Sequence, residues 1–93
     1  MVVTSAQSRA ARAWLGWSQD ELARRANVSV NTLRNFENGQ TFVHLNRVAS
    51  IQRAIEDAGI KLLFDENGVA AGIVRSGVAR VELAPDSGAG VRE

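Results

Sequence analysis

The sequence predicts a mainly α protein: a compact four-helix domain followed by a short C-terminal β-hairpin and a flexible tail. Three observations predict it. Thr4, Ser18 and Ser29 each stand where a cap would, just ahead of a short run with helical character. Gly16, Gly39 and Gly59 stand where such runs end. Beyond Gly59 the pattern becomes short β-branched and apolar runs around Asn67-Gly68, a dipeptide that favours hairpin turns.

Helix 1 is expected over about Ser5 to Leu15. Thr4 and Gln7 form a capping box, and the alanine-rich run that follows favours helix until Gly16. Trp17 precedes Ser18, where an apolar residue staples the start of the next helix, and Ser18 with Glu21 reads as a second capping box. Helix 2, Gln19 to Ala26, places Leu22, Ala23 and Ala26 on one face. Asn27 tolerates a left-handed backbone and suits a sharp turn before Ser29 caps helix 3, Val30 to Asn38, whose inward residues are Leu33 and Phe36. Val28 packs just before that cap. Helix 4, His44 to Ala58, carries Leu45, Val48, Ala49, Ile51, Gln52 and Ile55 as its apolar stripe. Ile60 to Phe64 and Gly72 to Arg75 read as the hairpin strands, and Val78 to Leu83 as a candidate third. The small, polar stretch from Ala84 reads as a tail. The expected division is 1–59 helical, 60–83 strand extension and 84–93 disordered.

With 93 residues the chain has room for one domain. Hydrophobic residues at 45% and charged residues at 23% fit a folded, water-soluble protein. The sequence has 0 cysteines and 1 histidine, His44, which leaves no thiolate or zinc site and predicts no cofactor. No triad motif, metal-ligand cluster or phosphate-cradling glycine loop is present, so an enzyme is not expected. No apolar run reaches membrane-spanning length, and a cytoplasmic protein is the expectation. The net charge of +1 is low for a nucleic-acid binder, but Arg9, Arg12, Arg24, Arg25, Arg34, Arg47 and Arg53 all fall in the first 53 residues.

Two short helices joined by a tight turn, the second with a free outer face, are what a helix-turn-helix requires, and Gln19 to Asn38 meets that description. Leu15-Gly16-Trp17-Ser18-Gln19-Asp20-Glu21-Leu22-Ala23, then Val28-Ser29, then Thr32-Leu33-Arg34-Asn35-Phe36-Glu37-Asn38-Gly39 resembles the XRE or phage-repressor family over about residues 5–58. The resemblance implies a repressor-like helix-turn-helix fold that binds a double-stranded DNA operator. It assigns base contacts to Val30, Asn31 and Asn35, with Arg34 beside them. Gln19, Asn38 and Thr41 take phosphate contacts, Asn38 reading equally as a helix terminator. Asn can pair bidentately with adenine, Arg with guanine, and Val can meet a thymine methyl. Arg12 and Glu37 match a buried structural salt bridge that links helix 1 to the end of helix 3.

Arg24 reads either as a further phosphate contact or, with Arg25, as a solvated charge on helix 2. Trp14 and Trp17 read as core or staple residues rather than stacking platforms for bases. One such domain offers few contacts, so a homodimer on a two-fold operator is expected. Ile60, Leu62, Phe64, Ile73 and Val81 are the candidate dimer element, through an exposed apolar face or a free strand edge; the alternative is that the hairpin simply covers helix 4. A different class of function stays open: a module that keeps the fold and sequesters another transcriptional regulator, as an antiactivator or antitoxin-like partner does.

Overall fold

The computed structural model describes residues 1–39 and 43–75. Four helices come first: α1 (Ser5–Leu15), α2 (Gln19–Ala26), α3 (Val30–Glu37) and α4 (Leu45–Asp57). An antiparallel pair follows, β1 (Ile60–Phe64) and β2 (Ala70–Arg75). The expected fold class is the one observed. The candidate strand at Val78–Leu83 and the tail from Ala84 lie outside the described residues.

Local chemistry accounts for most of the boundaries. Thr4 Oγ1 accepts from the Gln7 backbone N–H at 3.2 Å, while Gln7 Oε1 accepts from the Thr4 N–H at 3.0 Å, a complete capping box. Gly16 closes α1 at φ 72°, where a side chain would be strained. Ser18 caps α2 by accepting from the Glu21 N–H at 3.0 Å, but only this half of the expected box forms. Two nearby guanidiniums outcompete the reciprocal bond, for the Glu21 carboxylate turns to Arg24 and Arg25. Asn27 takes the left-handed conformation at φ 58°, and Ser29 caps α3 by accepting from the Thr32 N–H at 3.0 Å. α3 stops at Glu37 with Asn38 as its C-cap, one residue short of the expected end.

The helices share one core. Ala11 of α1, Leu22, Ala23 and Ala26 of α2, Leu33 of α3 and Val48, Ile51, Ala54 and Ile55 of α4 are buried together. Burying a Leu or Ile side chain contributes about 1.5–3 kcal/mol, so this cluster supplies most of the drive to fold. Leu45 departs from the expected stripe and is 68% exposed. Helical spacing centres the buried face on Ile51 and Ile55, well round the helix from Leu45, and brings in Ala54 instead. Gln52, also placed in that stripe, is half-buried because it works as a polar link: its Oε1 accepts from the Val3 N–H at 2.9 Å and so fixes an N-terminal segment whose Val3 side chain is buried.

The hairpin completes this core. Ile60 and Leu62 are buried, and Phe64 and Ile73 pack against the same cluster. The hairpin therefore turns Ile60, Leu62, Phe64 and Ile73 toward the core, while Leu63 and Val74 are its exposed apolar residues; Val81 lies outside the described residues. Leu62 pairs with Ile73, and the register shifts between Leu63 and Phe64, which brings Ala70 opposite Phe64 and starts β2 two residues before the expected Gly72. The turn is organised by Asp65 rather than by Asn67. Asp65 Oδ1 accepts from the N–H groups of Asn67 at 2.8 Å and Val69 at 2.9 Å, and Gly68 alone takes a positive φ, 82°.

Gln7 ties the hairpin to α1. Its side chain is buried, and Nε2 donates to Leu63 O at 3.0 Å and Gly72 O at 3.1 Å, satisfying two carbonyls beside the register shift. No helix among the described residues is long and apolar enough to cross a membrane.

Candidate nucleic-acid interface

α3 has two chemically different faces. Leu33 and Glu37, four residues apart, are buried, and Val30 and Phe36 pack half-buried beside them. Asn31, Arg34 and Asn35 are exposed on the opposite side, with Asn38 exposed just past the helix end. The sequence-predicted base contacts thus divide. Asn31, Arg34 and Asn35 form one polar surface, on which Arg34 Nη1 donates to Asn31 Oδ1 at 2.9 Å. Val30 sits at the margin with much of its side chain against the core.

At one side of this surface lies an open notch of about 160 Å³, walled by Thr32, Asn35, Val43, His44 and Arg47. His44 is the N-cap position of α4. Among the described residues no carboxylate pairs with Arg34 or Arg47. Two guanidiniums therefore stand uncompensated beside exposed amides, a pairing of charge and hydrogen-bonding groups that suits an anionic, base-bearing ligand.

The rigidity of that surface comes from Glu37, which is 2% exposed. Arg12 grips its carboxylate in a fork, Nε lying 3.1 and 3.0 Å from the two oxygens and Nη2 lying 2.8 Å from Oε1. Ser8 donates to Oε2, and Gln19 Nε2 donates to Oε1 at 3.1 Å. Burial alone pushes this carboxyl group's pKa up. The hydrogen bonds from Arg12, Ser8 and Gln19 and the Arg12 charge outweigh burial and hold it below the ordinary value. The Arg12–Glu37 pair expected from the sequence is present, with Glu37 nearly enclosed and Arg12 20% exposed at its side chain.

Gln19, expected at a phosphate, has its amide turned inward onto Glu37 and is half-buried. It stands at the first position of α2, where the positive end of the helix faces outward. Arg24 is 69% exposed at its side chain and bonded to Glu21. Arg25 shares that carboxylate and lies 4.3 Å above the Trp17 ring centroid, and Trp17 packs partly buried against the core. Trp14 is not a core residue: at 55% exposure it lies on the flank of α1 away from Ser8 and Arg12. Thr41 lies outside the described residues.

Ser8 and Arg9 are the residues that sequence reasoning missed. Arg9 Nη1 donates to the Glu37 backbone carbonyl, one of the orphan acceptors at the end of α3. Ser8 and Arg12 stand four apart on one helix face, so the partner matched to Arg12 was a usable signal for Ser8.

A short helix locked on its inner face, offering amides and a guanidinium on its outer face and reached from a second helix through a left-handed turn, defines a helix-turn-helix protein. A helix-turn-helix family model matches residues 9–55, and the chain belongs to the XRE-type helix-turn-helix family. It is accordingly a DNA-binding helix-turn-helix regulator. No curated protein matches the chain.

Proposed function

We propose that this protein is a sequence-specific transcriptional repressor that acts in the cytoplasm as a homodimer and reads the DNA major groove with α3. The observation that carries the reading is the division of α3 into an inner face held by Leu33 and the Glu37 network and an outer face of Asn31, Arg34 and Asn35. An interior so held fixes where the outer groups point before DNA arrives, which keeps the ordering cost of binding low.

In this reading Asn31, Arg34 and Asn35 contact base edges, and the exposed margin of Val30 meets a thymine methyl. Gln19, Asn38, Thr41 and Arg24 contact phosphates and set the register. Arg12 and Glu37 position α3 and touch no DNA. Residues 1–59 form the DNA-binding unit. In the 60–83 extension the outer face of the hairpin, where Leu63 and Val74 are exposed, joins two copies over the half-sites.

Fluorescence anisotropy with the DNA upstream of the protein's own gene and with a random duplex tests this reading. Salt-sensitive binding that prefers the upstream DNA and loses that preference in Asn31→Ala and Asn35→Ala is the expected result. Equal binding to both duplexes by all three proteins overturns it.

A second reading, a module that sequesters another regulator, is supported by one observation: Arg24 and Arg25 are both engaged by the Glu21 carboxylate, which offsets part of the positive charge on the outer side of α2. Binding to a protein partner that persists at high salt, with no binding to DNA, would favour it.

A further inference from the structure

Asn31 and Arg34 stand three residues apart on the outer face of α3, both exposed, and Arg34 Nη1 donates to Asn31 Oδ1 at 2.9 Å. A guanidinium has donors and no acceptor, so the oxygen of the Asn31 amide is the atom that must face it. That bond fixes what the two side chains have left to offer. Asn31 Oδ1 is engaged, and the neighbouring positive charge weakens what it can still accept. Asn31 Nδ2 keeps both its N–H groups, and the other N–H groups of Arg34 meet no carboxylate among the described residues. Together the two side chains form an array of donors.

In the major groove only guanine offers two acceptors, N7 and O6, on one base edge. Adenine sets an N6–H donor beside N7, thymine a methyl group beside O4, and cytosine presents a donor. A free asparagine amide, one donor and one acceptor, matches adenine. Linked to Arg34 it does not, because the N6–H of adenine then meets further donors and is left unpaired. We propose that Asn31 and Arg34 act as one unit that selects guanine and rejects adenine.

Asn35 supplies the contrast. It is exposed one turn beyond Asn31, and among the described residues no partner holds its side-chain amide, which keeps both a donor and an acceptor. Asn31, taken by residue type alone, would read adenine in the same way; the bond to Arg34 is what changes its preference. A bond between two exposed side chains is weak by itself. Guanine lets it persist, whereas adenine gains its second hydrogen bond only by breaking it, and the selectivity is the difference between the two. The inference rests on the reading of α3 as the element in the major groove and adds which base its exposed pair selects.

Selection by the full-length protein from a pool of duplexes with a randomised central window tests it. The wild type should select sites that fix a guanine, and replacing that guanine by adenine should weaken binding, measured by anisotropy, by at least about tenfold. Arg34→Ala releases Asn31 Oδ1, so this variant should bind the adenine duplex more tightly than the guanine duplex. Adding Asn31→Ala should abolish that reversed preference. Both side chains are exposed, and thermal melts that match the wild type show that the variants fold. Arg34→Ala weakening both duplexes by one factor overturns the proposal and leaves the reading of α3 standing, since Arg34 would then hold a phosphate. Selected sites that fix adenine at the position Asn31→Ala relaxes overturn it as well. A wild-type protein that selects no sequence overturns the reading of α3, and the proposal with it.

Discussion

Gln19 Nε2 lies 3.1 Å from Glu37 Oε1, so the first residue of α2 is tied to the last residue of α3. The two ends of the helix-turn-helix are thereby fixed to each other by side chains as well as by the turn at Asn27. Gln19 can donate its second Nε2 hydrogen to a phosphate only from this position, which would couple a role in binding to its role in the fold.

Gln19→Ala should therefore weaken binding to every duplex by a similar factor, leaving the preference for one sequence over another unchanged. It should also cost about 1 kcal/mol of stability through the lost bond to Glu37. Anisotropy titrations on two duplexes and a urea melt measure the two effects separately. A change in sequence preference would move Gln19 to the base-reading set.

Glu37→Ala should be far more damaging, at about 3 kcal/mol, because it strands Arg12 and Ser8 in a site built around a carboxylate. Glu37→Gln should cost less, since it keeps an acceptor for Ser8 and Arg12 while losing the charge. Chemical denaturation of both variants gives the order, and equal stability of wild type and Glu37→Ala would mean that the network contributes nothing.

The depressed pKa of Glu37 makes part of the stability depend on pH. A carboxyl group whose pKa is lower in the folded than in the unfolded chain stabilises fully above its unfolded value. For Glu37 that contribution is complete above the ordinary 4.5 and is lost as the pH falls through the lower folded value. The stability gap between wild type and Glu37→Gln should therefore shrink on acidification below 4.5. Thermal melts across that range read it directly, and a gap that stays constant would exclude Glu37 as the titrating group.

Gln7→Leu should loosen the hairpin rather than the helices. It leaves Leu63 O and Gly72 O without their donor and should cost about 1–3 kcal/mol. Amide exchange should accelerate in β1 and β2 more than in α2 and α3. A uniform acceleration would show that the hairpin and the helices open as one unit.

Much of the fold was legible because short-range chemistry decides it. Thr4, Ser29, Gly16 and Asn27 each set a boundary with a bond or a backbone angle that depends on near neighbours, and all four do what their residue types imply. What failed depends on partners distant in the chain. Leu45 looked like the start of an apolar stripe, yet only the docking angle of α4 decides which face is buried. Trp14 is a large aromatic that nonetheless stays 55% exposed on α1. Gln52 and Gln7 looked like a stripe position and a cap, and both also serve as long-range links, to Val3 and to the hairpin carbonyls. For the site, the Arg12–Glu37 pair came from matched positions rather than from any local signal; Ser8 was signalled only through its spacing from Arg12, and Arg9 escaped because a helix surface does not announce which carbonyl will approach it.

The central claim is that the outer face of α3 reads DNA, and an HSQC titration of the labelled protein tests it most directly. The ligands are the DNA upstream of its gene and a random duplex, each at low and moderate salt. Shifts that are salt-sensitive, specific to the upstream DNA and confined to Gln19, Val30 to Asn35 and Asn38 to Thr41 are predicted. No shift with either duplex, or shifts that leave Asn31 and Asn35 untouched, would contradict the claim.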